Sequence, residues 1–86
     1  MSRPVARLGD KSNHGGIIIS GAHKTLVNGR PVARMGDKHL CPWHGVTPIV
    51  TGSAKTLVEG APIARIGDST ACGAIIITGS PNVLNG

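Results

Sequence analysis

Short apolar runs separated by glycine turns make up most of this 86-residue chain. Residues 17–19 (Ile-Ile-Ile) end at a Ser-Gly pair, and residues 25–27 (Thr-Leu-Val) end at an Asn-Gly pair. Short β-branched runs bounded by turn residues predict β-strands, and Asn-Gly is typical of a tight β-hairpin. Glycine or proline interrupts every window long enough for a helix. We therefore predict an all-β fold with essentially no α-helix beyond one short turn.

One phrase of sequence occurs three times, as RPVARLGD, RPVARMGD and APIARIGD, and the repeats that it opens cover residues 3–29, 30–60 and 61–86. The repeats join without linkers, which indicates one interlocked domain. None of them has the character of a cap, so closure about an axis is favoured over a linear stack. We predict a single domain over residues 1–86, with pseudo-threefold symmetry.

The second repeat differs from the other two in one loop. Gly52 lies fifteen positions after Asp37, whereas Gly21 lies eleven positions after Asp10. The longer loop contains the only aromatic residue of the chain and three side chains that can bind metal: His39, Cys41, Trp43 and His44. We interpret Trp43 as a lid packed over the loops, and we expect the chemistry of the protein to lie here.

Metal-binding side chains recur at one position of the repeat. The fifth residue after the glycine of each Gly-Asp pair is His14, Cys41 or Cys72, and His39 and His44 flank Cys41. A tetrahedral zinc site needs four nitrogen or sulfur ligands. If the loops converge about an axis, these five candidates predict one zinc ion in a closed structural site, and leave open which four residues bind it.

Such a cross-link would stabilise a small core. A domain of this length buries only about 60% of the surface that its unfolded chain exposes, and domains this small often add a metal or a disulfide. The chain has one Trp, no Phe and no Tyr. No apolar signal peptide precedes the first repeat, which predicts a cytoplasmic origin and disfavours a disulfide between Cys41 and Cys72.

The net charge of +5 raises an alternative function, that of a small zinc-binding module for nucleic acid. Three of the nine basic residues recur beside the Asp of the repeated phrase, and we assign them to the fold: Arg7, Arg34 and Arg65. A single aromatic residue provides no stacking platform for bases. A zinc hydrolase would need an open metal position and a general base, but three of the four acidic residues belong to the phrase. We expect neither nucleic-acid binding nor enzymatic activity.

These phrases resemble the PAAR-repeat proteins of type VI secretion systems. The resemblance rests on RPVARMGD, APIARIGD, GSPNVLNG and CGAIIITGS, and it extends over essentially the whole chain. The loop DKHLCPWHG is similar to that family's metal-binding segment. The second residue of the Pro-Ala-Ala-Arg signature is larger here, and we expect it in the core: Val5, Val32 and Ile63.

The resemblance implies a fold and a role. Family members are short β cones with zinc near the point, and their base sits on the blunt end of the trimeric VgrG spike. We expect one chain per trimer, a tip that sharpens the spike for membrane puncture and contacts the target membrane only transiently, and a link to effector proteins. The protein would lie in the bacterial cytoplasm before firing and then leave the cell on the spike.

The resemblance also implies a ligand set of three His and one Cys. Carried onto this chain, these are most simply His14, His39, His44 and Cys72. The position of Cys41 in the repeat disagrees with that choice, because symmetry alone selects Cys41 instead of His39.

Overall fold

The computed structural model describes residues 3–85, and every regular element within them is a β-strand, which confirms the all-β prediction. The extreme ends of the predicted domain, residues 1–2 and 86, lie outside the described residues. Residues 3–85 form no helix that could span a membrane. The strands in chain order are β1 Arg3–Pro4, β2 Ile17–Ile18, β3 Leu26–Val27, β4 Arg30–Pro31, β5 Lys38–Cys41, β6 Gly45–Pro48, β7 Leu57–Val58, β8 Ala61–Pro62 and β9 Leu84–Asn85.

Three two-stranded ribbons share one construction. Strand β3 pairs with β4, and β7 pairs with β8, each across a turn whose two residues have positive φ. Asn28 (54°) and Gly29 (77°) form one such turn, as a tight hairpin requires. In the third ribbon β9 pairs with β1, so the two ends of the described chain meet. We call them the leucine ribbons, because each carries one exposed leucine: Leu26, Leu57 and Leu84.

Backbone hydrogen bonds close the three repeats into a ring. The amide of Ala33 donates to the carbonyl of Ala6 (2.9 Å), that of Ala64 to Ala33 (3.0 Å), and that of Ala6 to Ala64 (2.9 Å). A linear stack could not make the third bond, so each repeat contacts both others. The body is compact, with extents of 29 × 26 × 22 Å. The conical outline of the body stays a prediction. The threefold relation between the repeats also stays a prediction, and the ring supports it.

Two buried apolar clusters fill the ring. The first joins the three ring alanines, whose small side chains let the backbones meet, with one isoleucine from each repeat: Ile18, Ile49 and Ile76. The second contains Ala22 and the three larger residues of the signature, which are buried as expected: Val5, Val32 and Ile63. Val27 and Val58 of two leucine ribbons pack against this second cluster. The ribbons are therefore attached to the core through their valines.

Each repeat contains one ion pair between the Arg and the Asp of its repeated phrase. The Nε atom of Arg7 donates to Oδ2 of Asp10 at 3.0 Å, and the Arg7 amide donates to the same oxygen at 2.7 Å. The hydroxyl of Thr78, from another repeat, donates to Oδ1 of Asp10 at 2.8 Å. These residues serve the fold, as predicted, and the other two repeats contain equivalent pairs: Arg34 with Asp37, and Arg65 with Asp68.

The extra residues of the second repeat lengthen a hairpin. Strands β5 and β6 have four residues each and join β2 in a three-stranded sheet, in the order β2-β5-β6. Their last two cross-strand pairs are Leu40–Val46 and Cys41–Gly45. The first and third repeats have already turned back before this point, through tight turns at residues 12–15 and 70–73. The insertion therefore extends one hairpin by two residue pairs beyond its counterparts.

Candidate metal centre

A glycine in the left-handed region directly follows one candidate ligand in each repeat. Glycine adopts this conformation without a steric penalty, so the chain can reverse immediately after the ligand. The three pairs of ligand and glycine, with the φ of the glycine, are His14-Gly15 (78°), His44-Gly45 (75°) and Cys72-Gly73 (86°). We call the three turns at residues 12–16, 39–45 and 70–74 the metal loops. Each repeat thus presents a ligand at the end of a tight turn.

Cys41 reaches the same place because its hairpin is longer. Side chains alternate along a strand, and in β5 Lys38 and Leu40 are exposed whereas His39 and Cys41 are buried. The additional residue pairs put Cys41 one inward-facing position beyond His39. The second repeat therefore supplies two candidate ligands, Cys41 from the strand and His44 from the turn.

The ligand atoms of His14, Cys41, His44 and Cys72 all lie within 4.8 Å of one another. The Sγ atom of Cys41 is 3.3 Å from Nδ1 of His44 and 3.7 Å from Nδ1 of His14, which is 3.9 Å from Sγ of Cys72. Zinc bonds of about 2.3 Å to sulfur and 2.0–2.1 Å to nitrogen, at tetrahedral angles, separate S and N ligands by about 3.6 Å. The three measured separations, 3.3–3.9 Å, are close to that value.

His39, the fourth residue of the predicted set, is not in this cluster. It occupies the position that Ser12 and Thr70 occupy in the other repeats, and all three side chains are buried. Its Nε2 atom lies 2.8 Å from Oγ of Ser12, and its Nδ1 atom is buried without a hydrogen-bond partner. The structure thus joins three of the predicted ligands with Cys41 and places His39 in the layer beneath them.

The surroundings of Cys72 favour its thiolate form. Burial by itself raises the pKa of the Cys72 thiol, but hydrogen bonds, above all that of the Thr70 hydroxyl at 3.1 Å, lower the pKa to about 5. A thiolate is the form in which cysteine binds a metal ion. Thr70 thus orients and stabilises one sulfur ligand from the layer beneath the cluster.

Trp43 lies beside the cluster and does not seal it. Its ring centroid is 5.5 Å from that of His14, with the two planes inclined by 32°. The Trp43 side chain is nevertheless 75% exposed, the largest value among the large apolar residues. It covers one side of the His14 ring, which is less shielding than the lid predicted from the sequence.

The arrangement can hold a metal ion and offers little for catalysis. Two thiols and two imidazoles complete a tetrahedral set, which leaves no position for a substrate. The three aspartates are held in ion pairs, and Glu59 accepts hydrogen bonds from the loop at residues 23–25. No cavity is found among residues 3–85. These features are typical of a structural metal site.

Comparison with known families gives one match. The model of the PAAR motif family matches residues 8–78, most of the chain. No curated protein matches it significantly. The PAAR motif is associated with the spike-tip proteins of type VI secretion systems, which are structural proteins and not enzymes.

Proposed function

The chain belongs to the PAAR motif family, and we propose from this that it caps the blunt end of a trimeric VgrG spike, one chain per trimer. The observation that supports this proposal best is the set of leucine ribbons. Their exposed side chains are similarly accessible in all three repeats, at 59% for Leu26, 65% for Leu57 and 55% for Leu84. Three similar apolar surfaces on one chain suit a partner with three identical chains.

In each leucine ribbon the strand that contains proline (β1, β4 or β8) is already hydrogen-bonded to the body of the protein. The carbonyl groups of Pro4, Pro31 and Pro62 accept hydrogen bonds from neighbouring repeats, and proline has no amide hydrogen to donate. The outer edges therefore belong to the leucine strands β3, β7 and β9. We infer that strands of the spike extend these ribbons by edge pairing, as in other cases of β-strand addition.

We assign the metal loops to the free end of the spike. His14, Cys41, His44 and Cys72 would hold one zinc ion, whose charge two thiolates neutralise, and the ion would cross-link all three repeats. The cross-link makes the tip resistant to fraying under load when the spike punctures a membrane. The protein would wait in the bacterial cytoplasm, leave the cell on the spike and link effector proteins to it.

Two matched substitutions test the docking surface. Leu57→Asp places a charge on a leucine ribbon, and Val46→Asp places the same charge on β6, at a residue of comparable exposure (65% and 55%). Each variant is mixed with a VgrG trimer, and the mass of the complex is measured at low and high salt. We expect one wild-type chain per trimer at both salt concentrations, and weakening by Leu57→Asp alone.

Three bound chains per trimer, or equal weakening by both substitutions, would overturn the assignment of the ribbons. Dissociation of the wild-type complex by modest salt would indicate a charge-driven contact, because salt screens exposed charges and leaves apolar burial intact.

A further inference from the structure

We propose that Cys41 and Cys72 form a redox-sensitive modification site, in which peroxide oxidation replaces the metal cross-link by a disulfide between the second and third repeats. This inference goes beyond the spike-tip function and needs only the geometry of the metal loops. Both cysteines carry free thiols in the structure.

The two sulfur atoms are close enough to react with each other. They lie within 4.8 Å, and each is near the same atom, Nδ1 of His14, at 3.7 Å from Cys41 and 3.9 Å from Cys72. A disulfide bond requires about 2.05 Å between the sulfurs, so its formation requires rotation of the Cys72 side chain and a shift of its turn towards Cys41. The two turns belong to different repeats, so the bond would join parts of the chain that the metal also joins.

The two cysteines differ in access, which assigns them different roles. Cys41 is 1% exposed, whereas Cys72 is partly exposed at the end of its turn. Peroxide therefore meets Cys72 first and converts its thiol to a sulfenic acid, with release of one water as the sulfur is oxidised and the peroxide reduced. Cys41 then attacks that sulfur, a second water leaves with the sulfenic oxygen, and the disulfide forms. A shielded resolving thiol beside an accessible one is typical of redox-sensing pairs.

Metal binding and the disulfide exclude one another. A bound ion engages both sulfurs and hides Cys72 from peroxide. The disulfide removes two of four donors and leaves only His14 and His44, fewer than a structural zinc site uses. Oxidation should therefore expel the metal, and the metal should protect the thiols.

The first experiment uses the zinc-loaded chain. Hydrogen peroxide is added in the presence of a zinc indicator, and samples are digested without reduction for mass spectrometry. We expect one zinc released for each intramolecular Cys41–Cys72 peptide pair, at least about tenfold more slowly than the pair forms after chelation, and we expect a reductant with added zinc to restore the starting state. Zinc release without the disulfide, disulfides between two chains, or equal rates with and without zinc would overturn the proposal.

Two single substitutions then test the roles. In Cys41→Ser the sulfenic acid on Cys72 has no resolving partner, so dimedone should label it; in Cys72→Ser the buried Cys41 should label at least about tenfold less. Equal labelling of the two variants would overturn the order of the steps. Near-ultraviolet and far-ultraviolet circular dichroism identify any variant that is unfolded. In that case the peroxide experiment on the zinc-loaded wild-type chain decides the proposal. None of these outcomes bears on the VgrG mixing experiment, so the two proposals fail separately.

Discussion

The metal loops and the leucine ribbons come from the same three repeats. The ribbons are similar in all three repeats, whereas the metal loops differ from one repeat to the next. The ribbons keep one exposed leucine per repeat, with accessibilities between 55% and 65%. The metal loops present different residues, and one loop is longer than the others. The contacts proposed for each end account for this difference. A trimeric partner requires three similar surfaces, whereas a tetrahedral ion requires four donors from three loops.

The insertion in the second repeat supplies the fourth candidate donor, so that three loops can offer four. Two additional residue pairs extend the β5–β6 hairpin, and the same loop then supplies both Cys41 and His44. A threefold arrangement with one ligand per loop would leave the ion with an open position. If the cluster holds a four-coordinate ion as proposed, the difference between the metal loops follows from the coordination number.

The largest effect is expected for loss of a ligand at the metal end. Cys41→Ser should abolish stoichiometric zinc and destabilise the fold by more than about 5 kcal/mol, which lowers the melting temperature by more than about 20 °C. Metal binding contributes directly to folding in such sites, and about 1 kcal/mol corresponds to about 4–8 °C in a domain of this size. Elemental analysis and calorimetry measure both quantities.

The exposed His23 provides the control for that experiment. His23→Ala should change stability by less than about 0.5 kcal/mol, as surface substitutions usually do, and should keep its zinc. A Cys41→Ser protein with full zinc content would mean that the fourth ligand has been assigned to the wrong residue.

The next largest effect is expected for loss of one of the Arg–Asp ion pairs, of which each repeat contains one. Asp10→Asn removes the charge that neutralises the buried guanidinium of Arg7 (8% exposed). Removing one partner of a buried pair costs about 3–5 kcal/mol because the other charge stays buried. We expect that loss in urea unfolding at neutral pH, with zinc retained. Loss of zinc would mean that the ion pairs and the metal end are not independent.

The same pairs predict the acid sensitivity of the fold. Burial raises the pKa values of Asp10 and Asp68, but hydrogen bonds, first from Arg7 and Arg65 and then from Thr78 and Thr51, outweigh it and hold both below the usual range. Carboxylates with lowered folded-state pKa stabilise the fold above their unfolded pKa of about 4, and this contribution is lost as pH falls through the folded value. Asp10→Asn should therefore weaken the dependence of stability on pH below about pH 4. An unchanged pH profile would contradict this account.

His39→Ala tests whether His39 has a structural or a metal-binding role. His39 is fully buried and its Nε2 atom lies 2.8 Å from Oγ of Ser12, so its removal leaves a cavity and takes one of the two hydrogen-bond partners of that hydroxyl, the other being the Gly16 amide. We expect a loss of about 2–4 kcal/mol, larger than for His23→Ala, with zinc still present at one ion per chain. Loss of zinc in this variant would restore His39 as a ligand.

The contrast between the two ends also explains how far the sequence could predict the molecule. The threefold phrase, the β-branched runs and the Asn-Gly turn predicted the all-β fold, because strand and turn signals are local properties of the sequence. The single domain over residues 1–86 stays a prediction. The structural role of the Arg and the Asp of the phrase followed from their recurrence in every repeat, whereas the ion pair between them is seen only in the structure. The choice between His39 and Cys41 was harder, because it depends on where the hairpin turns.

Two features of the sequence do argue against His39 as a ligand. A glycine follows three of the four clustered ligands, whereas leucine follows His39. His39 also stands two positions after Asp37, as Ser12 stands after Asp10, which assigns it to the buried layer of the repeat. What sequence spacing could not give is the register of β5 with β6, which puts Cys41 beyond His39 on the same face. The resemblance to a three-His, one-Cys family pointed to the other choice.

The smallest effect is expected where the third repeat lacks an arginine that the other two repeats direct at a neighbouring repeat. Arg3 and Arg30 each approach an aspartate of a neighbouring repeat at 3.8 Å, Asp68 and Asp10 respectively. The corresponding residue of the third repeat is Ala61, and the space above Gly36 is open, whereas the guanidinium groups of the two arginines lie over Gly67 and Gly9. Asp37 therefore lacks a second arginine, and Ala61→Arg should supply one.

The expected gain is about 0.2–1 kcal/mol, because the two existing arginines of this kind are 40–42% exposed and exposed ion pairs contribute little. This corresponds to a rise in melting temperature of about 1–8 °C. Ala61→Gln is the matched control, with a long polar side chain but no charge. The difference between the two variants should shrink in high salt, because screening weakens exposed pairs. Zinc content should stay at one ion per chain in both, since residue 61 lies outside the metal loops. Asp37 already accepts hydrogen bonds from Arg34 at 3.1 Å and from the Ser20 hydroxyl at 3.0 Å. An Arg variant no more stable than the Gln variant at low salt would mean that these two partners are sufficient.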